Sequence, residues 1–195
     1  FRSTDQAKKN QTPTVGILQL TSHPALDEIH RGIIAALKEE GFISGKNIKI
    51  DFQNAQNDQS NLKSMSQRFE NEDAAVMIGI ATPAAQSLAN TTKTTPIVMG
   101  AISDPIGAGL VKDLKHPGGN ITGVQHKEPI ALQLQLIKTI MPELKTIGVL
   151  HTSSDDSSAA EVKEFSQLAQ KAGIQVKEYT ITSTNDIQQV SATMA

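Results

Sequence analysis

Four short polar stretches hold the side chains of this chain that could do chemistry. They are QLTSHPALD, with Gln19, Ser22 and His23; ATPAAQ, Ala81 to Gln86; ISDP, Ile102 to Pro105; and HTSSDDSS, His151 to Ser158. In ATPAAQ, Thr82 is a good helix N-cap and Pro83 suits the first helical position. Exposed amides and the helix dipole at such a start favour an anion, a carboxylate for instance. Gln86, about one turn on, offers both a donor and an acceptor. In ISDP, Ser103 is polar and Asp104 could hold a cation such as an ammonium group. In HTSSDDSS nearly every side chain carries a hydroxyl or a carboxylate, and Ser154, Ser157 or Ser158 could cap a helix or reach a ligand. Each loop also has a purely structural reading: a capped helix start, a turn aspartate before proline, an N-terminus whose acidic residues suit the dipole.

Catalytic readings are weaker. The chain contains no GxSxG elbow, no phosphate-binding P-loop and no HExxH. The glycines of IGAGL (106–110) do not follow a strand in the GxGxxG context, so no dinucleotide fingerprint is supported. Histidines 23, 30, 116, 126 and 151 lack metal-ligand spacing. His30 sits in a helical pattern, where a solvent-facing or capping role is expected. No cofactor and no metal are expected, and neutral loops rich in Ser, Thr, Asn and Gln fit reversible binding better than chemistry.

The elements that must position these loops are legible from periodicity. Four near-continuous apolar runs, VGILQL (15–20), AAVMIGI (74–80), PIVMGAI (96–102) and TIGVLH (146–151), have the character of parallel strands covered on both faces. IKIDFQNA (48–55) and VKEYTI (176–181) alternate more and suit strands nearer an edge; ITGVQ (121–125) is a short run after a Pro-Gly-Gly turn. Helical spacing links Leu26, Ile29, Ile33 and Leu37; Leu62, Met65 and Phe69; Ile130, Leu134, Ile137 and Met141; and Val162, Phe165, Ala169 and Ala172. Gly41 and Gly173 stand where the first and last of these helices must stop. Strands alternating with helices mean a parallel α/β sheet, and in such a sheet ligands sit beyond the carboxyl ends of the strands, where all four loops fall.

The chain also repeats itself. TVGIL (14–18) and TIGVL (146–150) align, and Gly16 and Gly148 stand 132 residues apart, as do Gly41 and Gly173. Each copy therefore starts a doubly wound lobe. The expected organisation is a flexible polar leader over 1–12, an α/β lobe over 13–126, and the first part of a second over 127–195. Two strands do not close a core, so the second lobe is expected to be incomplete in this chain. The passage between lobes near His126 to Pro129 is the expected hinge, and one compact domain is the alternative.

Composition narrows the class. Net charge is −2 over 195 residues, with Lys and Arg spread along the chain, which argues against a nucleic-acid partner. Cysteine is absent, which removes disulfides and thiolate chemistry and points toward an exported protein. No apolar run approaches the ~20 residues of a membrane span.

The run VGILQLTSHPALDEIHRGIIAALKEEGFISGKNIKIDFQNAQND resembles the N-terminal part of ABC-importer substrate-binding proteins associated with tryptophan and tyrosine uptake. So do IATPAAQSLA, PIVMGAISDPIGAGLV, HPGGNITGV and LIKTIMPELKTIGVLH, in family order from Pro13 onward. The resemblance implies a type I periplasmic-binding-protein fold, two Rossmann-like lobes that close on a small amino-acid-like solute and then dock on permease subunits. It further implies an extracellular or periplasmic location, a lipid anchor in Gram-positive members, and a monomer. HTSSDDSS departs from the usual Tyr-Asn-Pro-Ser-Glu-Ala-Asn-Ser: Ser154, Asp155 and Ser158 match in kind, whereas His151, Thr152, Ser153 and Ser157 do not. The competing functions are the effector lobe of a transcription regulator, which needs a helix-turn-helix that FRSTDQAKKNQTP does not form, and a nucleotide-dependent α/β enzyme, which needs a phosphate loop.

Overall fold

The computed structural model describes residues 12–153 and 155–194. The expected leader, apart from Thr12, and the candidate Ser154 lie outside the described residues. The chain forms two compact units that meet in sequence between Gln125 and His126.

The first unit alternates β1 (Thr14–Gln19), α1 (Pro24–Glu39), β2 (Lys49–Asn54), α2 (Gln59–Asn71), β3 (Val76–Ile80), α3 (Thr82–Thr91), β4 (Ile97–Ile102) and β5 (Ile121–Gln125). All four strand pairings are parallel, in the order β2-β1-β3-β4-β5. The reversal of direction beside β1 sends helices to both faces. On one face Leu18, Leu62, Phe69, Met77, Ala85, Leu88 and Ile97 form the main core. On the other, Val15, Ile17, Ile48, Ile78 and Ile80 meet the predicted stripe of α1, Leu26, Ile29, Ile33 and Leu37. That stripe is only partly covered, and an apolar pocket of 640 Å³ opens beside it, bounded among others by Val15, Leu37, Phe42 and Val124.

His30 does not simply face solvent from α1. Its ring stacks on Phe52 of β2 with centroids 4.1 Å apart, and its Nε2 is buried without a hydrogen-bond partner. Burial holds its pKa below the usual 6.5, opposed by the charge of Asp27. On β2 the buried Asp51 accepts from Arg68 Nε at 2.9 Å and from Gln53 Nε2 at 2.6 Å, which ties α2 to the sheet. The carboxylate in turn holds the Arg68 guanidinium above its usual range.

The second unit comprises α4 (Ile130–Ile140), β6 (Thr146–Thr152), α5 (Asp156–Lys171), β7 (Gln175–Ile181) and α6 (Ile187–Met194), with one turn of 3-10 helix before α6. Strands β6 and β7 pair in parallel in their own two-stranded sheet. Its core is small, built on Leu134, Ala169 and Ile174 with Leu144, Ile147 and Phe165 packed against them. The α4 stripe buries Ile130 and Leu134 only; Leu136, Ile140 and Met141 are exposed.

Both predicted helix stops are left-handed glycines, with φ of 86° at Gly41 and 78° at Gly173. The repeated strand glycines face different neighbours. A Cβ on Gly16 would lie 2.7 Å from the Phe69 ring, which is fully buried, whereas one on Gly148 would meet the methyl end of Met194 at 2.8 Å.

Two measurements test this packing. Urea unfolding of Gly16→Ala is expected to show a loss of about 1–3 kcal/mol, because the buried ring has nowhere to move. Gly148→Ala should stay within about 0.5 kcal/mol, because a flexible side chain can swing away. For His30, the folded state favours the neutral ring, so its contribution to stability is present above pH 6.5 and is lost as pH falls through the lowered folded value. Denaturation at pH 7.5 and 5.5 should therefore show a smaller acid loss in His30→Phe than in the parent chain; an equal loss would exclude His30 as its source.

Candidate functional site

Sheet register decides which loops share an edge. Gln19 pairs with Ile80 across β1 and β3, Gly100 pairs with the same Ile80 from β4, and Ile102 pairs with Gln125 of β5. The carboxyl ends of four strands are thus side by side, and Gln19, Ser22, Thr82, Gln86, Ser103 and Asp104 gather along this edge of the first unit.

The start of α3 is built by small residues. A Cβ on Gly79 would lie 2.7 Å from Ala85 Cα and 2.8 Å from its nitrogen, so only glycine lets the first turn of the helix come down on β3. Thr82, Pro83, Ala84 and Ala85 are all buried there. The expectation that Thr82 caps this helix is not met. The cap position is Ala81, which makes no side-chain cap bond, and Thr82 is already the first helical residue. Ala81 turns the chain from strand to helix at φ 75°, a conformation that a non-glycine residue adopts only under strain. Nothing in the side chain of alanine announces that role, and threonine before proline is the stronger sequence signal. A second strained residue, Ala101 at φ 58°, marks the register shift between Gly100 and Ile102 that leads into Ser103.

Hydrogen bonds fix the neighbouring groups. Gln19 is fully buried; its Nε2 donates to Asp27 at 2.7 Å and to the Thr21 carbonyl at 2.8 Å, while its Oε1 has no partner. Ser22 Oγ accepts from Asn54 Nδ2 at 2.9 Å, and His23 caps α1 by accepting from the Ala25 amide at 3.2 Å. Gln86 donates to the Ala108 carbonyl at 3.1 Å, and Gln125 donates to the Ser103 carbonyl at 3.0 Å. Asp104 Oδ1 accepts from the Gly107 amide at 2.9 Å, which realises the turn reading of this aspartate. That bond occupies one lone pair of one oxygen and leaves acceptor capacity on a half-buried carboxylate.

In the second unit Asp155, not a serine, caps α5: its Oδ1 accepts from the Ser157 amide at 3.0 Å and from the Ser157 hydroxyl at 2.6 Å. Ser158 is half-buried and lines a cavity of 430 Å³ within that unit, together with His151. Sequence reasoning gave Asp27, Gly79, Ala81 and His151 no part in the site. Gly79, a glycine inside an apolar strand one residue before its end, carried a readable signal of close approach. Among the described residues no cluster of three or more His, Cys, Asp or Glu could hold a metal ion, and no helix is long and apolar enough to cross a membrane.

A five-stranded parallel sheet of this order, with polar groups drawn up along its carboxyl edge, defines the lobe of a type I periplasmic binding protein. A leucine-binding protein from Thermotoga maritima shares the fold, with a TM-score of 0.68 and 17% identity over 93% of this chain and 53% of its own. The chain belongs to the ABC transporter substrate-binding protein family, whose model matches residues 14–195. It is 47% identical to an ABC domain from Streptococcus pneumoniae solved in complex with L-Trp, at a TM-score of 0.90, over 94% of this chain and 62% of that one. It is 39% identical over 193 residues to a tyrosine-binding protein of Clostridioides difficile (strain R20291), covering 99% of this chain and 55% of that protein. The chain thus spans less than two thirds of the length of these relatives. They are substrate-binding proteins and not enzymes.

Because the seat of α3 depends on Gly79, Gly79→Ala should lower stability by about 1–3 kcal/mol through displacement of helix backbone. Thermal melting checks this; an unchanged melting temperature would show that α3 tolerates a wider seat.

Proposed function

We propose that this chain is part of the extracytoplasmic substrate-binding component of an ABC importer. It binds an amino-acid-like solute reversibly, an aromatic one such as tryptophan, and delivers it to membrane permease subunits. The reading rests on its likeness to the L-Trp-bound domain, at 47% identity and a TM-score of 0.90. The carboxyl edge of the first unit supplies chemistry that fits an amino acid. The amides at the start of α3, beside Thr82 and Gln86, suit the carboxylate. Asp104, with Ser103 beside it, suits the ammonium, and the buried Oε1 of Gln19 is a ready acceptor. Ser22 flanks this group, and Ser154 and Ser158 are the contacts we assign to the second lobe. The chain passes from one unit to the other at 126–129, where we place the hinge. A lipid anchor at the outer face of the membrane and a monomeric state complete the proposal.

Titration with L-Trp, L-Tyr and a nucleotide control tests it directly. Asp104→Asn is the informative variant, because asparagine keeps the oxygen that accepts from Gly107 while losing the charge. Amino-acid binding should weaken by roughly 1.5–3 kcal/mol with the melting temperature unchanged. Equal affinity for parent and variant would remove Asp104 from the site, and preference for the nucleotide would overturn the reading as a whole.

A further inference from the structure

The second unit carries a pocket that the solute reading does not use. It is the 430 Å³ cavity bounded by α4, the end of β6 and the first turns of α5. Its walls are apolar on one side, from Ile130, Val149, Val162 and Phe165. On the other side stand Glu128, Glu161, His151 and Ser158.

The imidazole of His151 is the unexplained group. Both of its ring nitrogens are buried and neither has a hydrogen-bond partner. A neutral imidazole has one donor and one acceptor, and leaving both desolvated and unmade is unfavourable on each count. Alone, such a ring argues only for a missing partner; the cavity it lines gives that partner room.

Charge decides the chemistry of the occupant. Two carboxylates line the cavity and no Lys or Arg does. Glu128 already accepts from His126 Nε2 at 2.8 Å and from Gln133 Nε2 at 3.2 Å. Glu161 forms no ion pair among the described residues. A group that donates several hydrogen bonds and carries positive charge would satisfy Glu161, the acceptor nitrogen of His151 and the Ser158 hydroxyl together. An ammonium does so, and the apolar wall suits a short hydrocarbon body attached to it.

We propose that this cavity is a binding site for a small primary amine with a compact apolar tail, read by His151 and Glu161. The site lies within one unit and uses no residue of the carboxyl edge that carries Asp104.

The test holds the tail constant and varies the head. Isopentylamine, isovalerate and isopentanol are titrated into the full chain while the side-chain nitrogen resonances of the histidines are followed. The amine is expected to shift the His151 ring signals saturably, with the acid and the alcohol at least tenfold weaker. Glu161→Gln should weaken amine binding at least tenfold without changing the melting temperature, and His151→Phe should abolish it. Should His151→Phe fail to fold, Glu161→Gln alone decides. Asp104→Asn should leave amine binding intact, so failure here is separable from failure of the amino-acid reading. Equal binding of the three probes would reduce the cavity to an apolar hole. An amine that leaves His151 unshifted, or that binds Glu161→Gln as well as the parent, would overturn the proposal.

Discussion

The absence of a side chain at Gly79 is the constraint on which the candidate site depends. Without a Cβ there, the first turn of α3 lies directly on β3, and its amide groups come to the strand ends instead of standing a side chain's width away. The small residues of the helix, Ala84, Ala85 and Ala89, continue the close packing. The same seat explains why the link is so abrupt. One residue must reverse from strand to helix, and Ala81 does so at a positive φ, a conformation disfavoured by about 1–3 kcal/mol and held by the packing around it. Proximity of helix to sheet, strain at the junction and amides at the edge are three aspects of one contact.

The internal repeat shows how much a motif leaves open. TVGIL and TIGVL both begin a central strand with a glycine at the third position, and both lead through a helix to a left-handed glycine. In the first unit that strand glycine is locked under the ring of Phe69, and four further strands pair around it. In the second, Gly148 faces the ends of Met194 and Tyr179 in a sheet of two strands. The pattern specifies the local strand-helix-strand unit. What the glycine is for depends on residues more than 40 positions away, such as Phe69 for Gly16 and Met194 for Gly148.

That difference also separates what was legible in the sequence from what was not. Parallel strands announce themselves because covering both faces demands unbroken apolar runs, and VGILQL, AAVMIGI and PIVMGAI all became buried strands. Helix stops were legible because only glycine adopts the left-handed cap at little cost. The site residues could be placed on one edge from the same logic, since register follows from the strand ends. Their roles could not. Thr82 before Pro83 has better capping chemistry than Ala81, yet the close seat of α3 shifts the cap by one residue. Asp155 outcompetes three serines for the start of α5, and His30 trades solvent for the face of Phe52. Each outcome is a competition settled by tertiary packing, which local chemistry does not encode.

The polar groups of the two units divide into satisfied and waiting, and the division is itself informative. Asp51, the most buried carboxylate, is fully engaged by Arg68 and Gln53, as a structural charge must be. Gln19 and His151 stand apart: each ends a first strand of its unit, and each keeps buried hydrogen-bonding capacity unfilled. An unfilled buried acceptor or donor lowers stability by about 1–3 kcal/mol, so a fold seldom carries one without use. A protein whose task is to bind and release has that use. The partner arrives with the ligand, and the energy forgone in the empty state is returned as affinity in the occupied one. Groups left wanting at the ends of two repeated strands are what a receptor requires, where an ordinary scaffold would have paired them or replaced them with hydrocarbon.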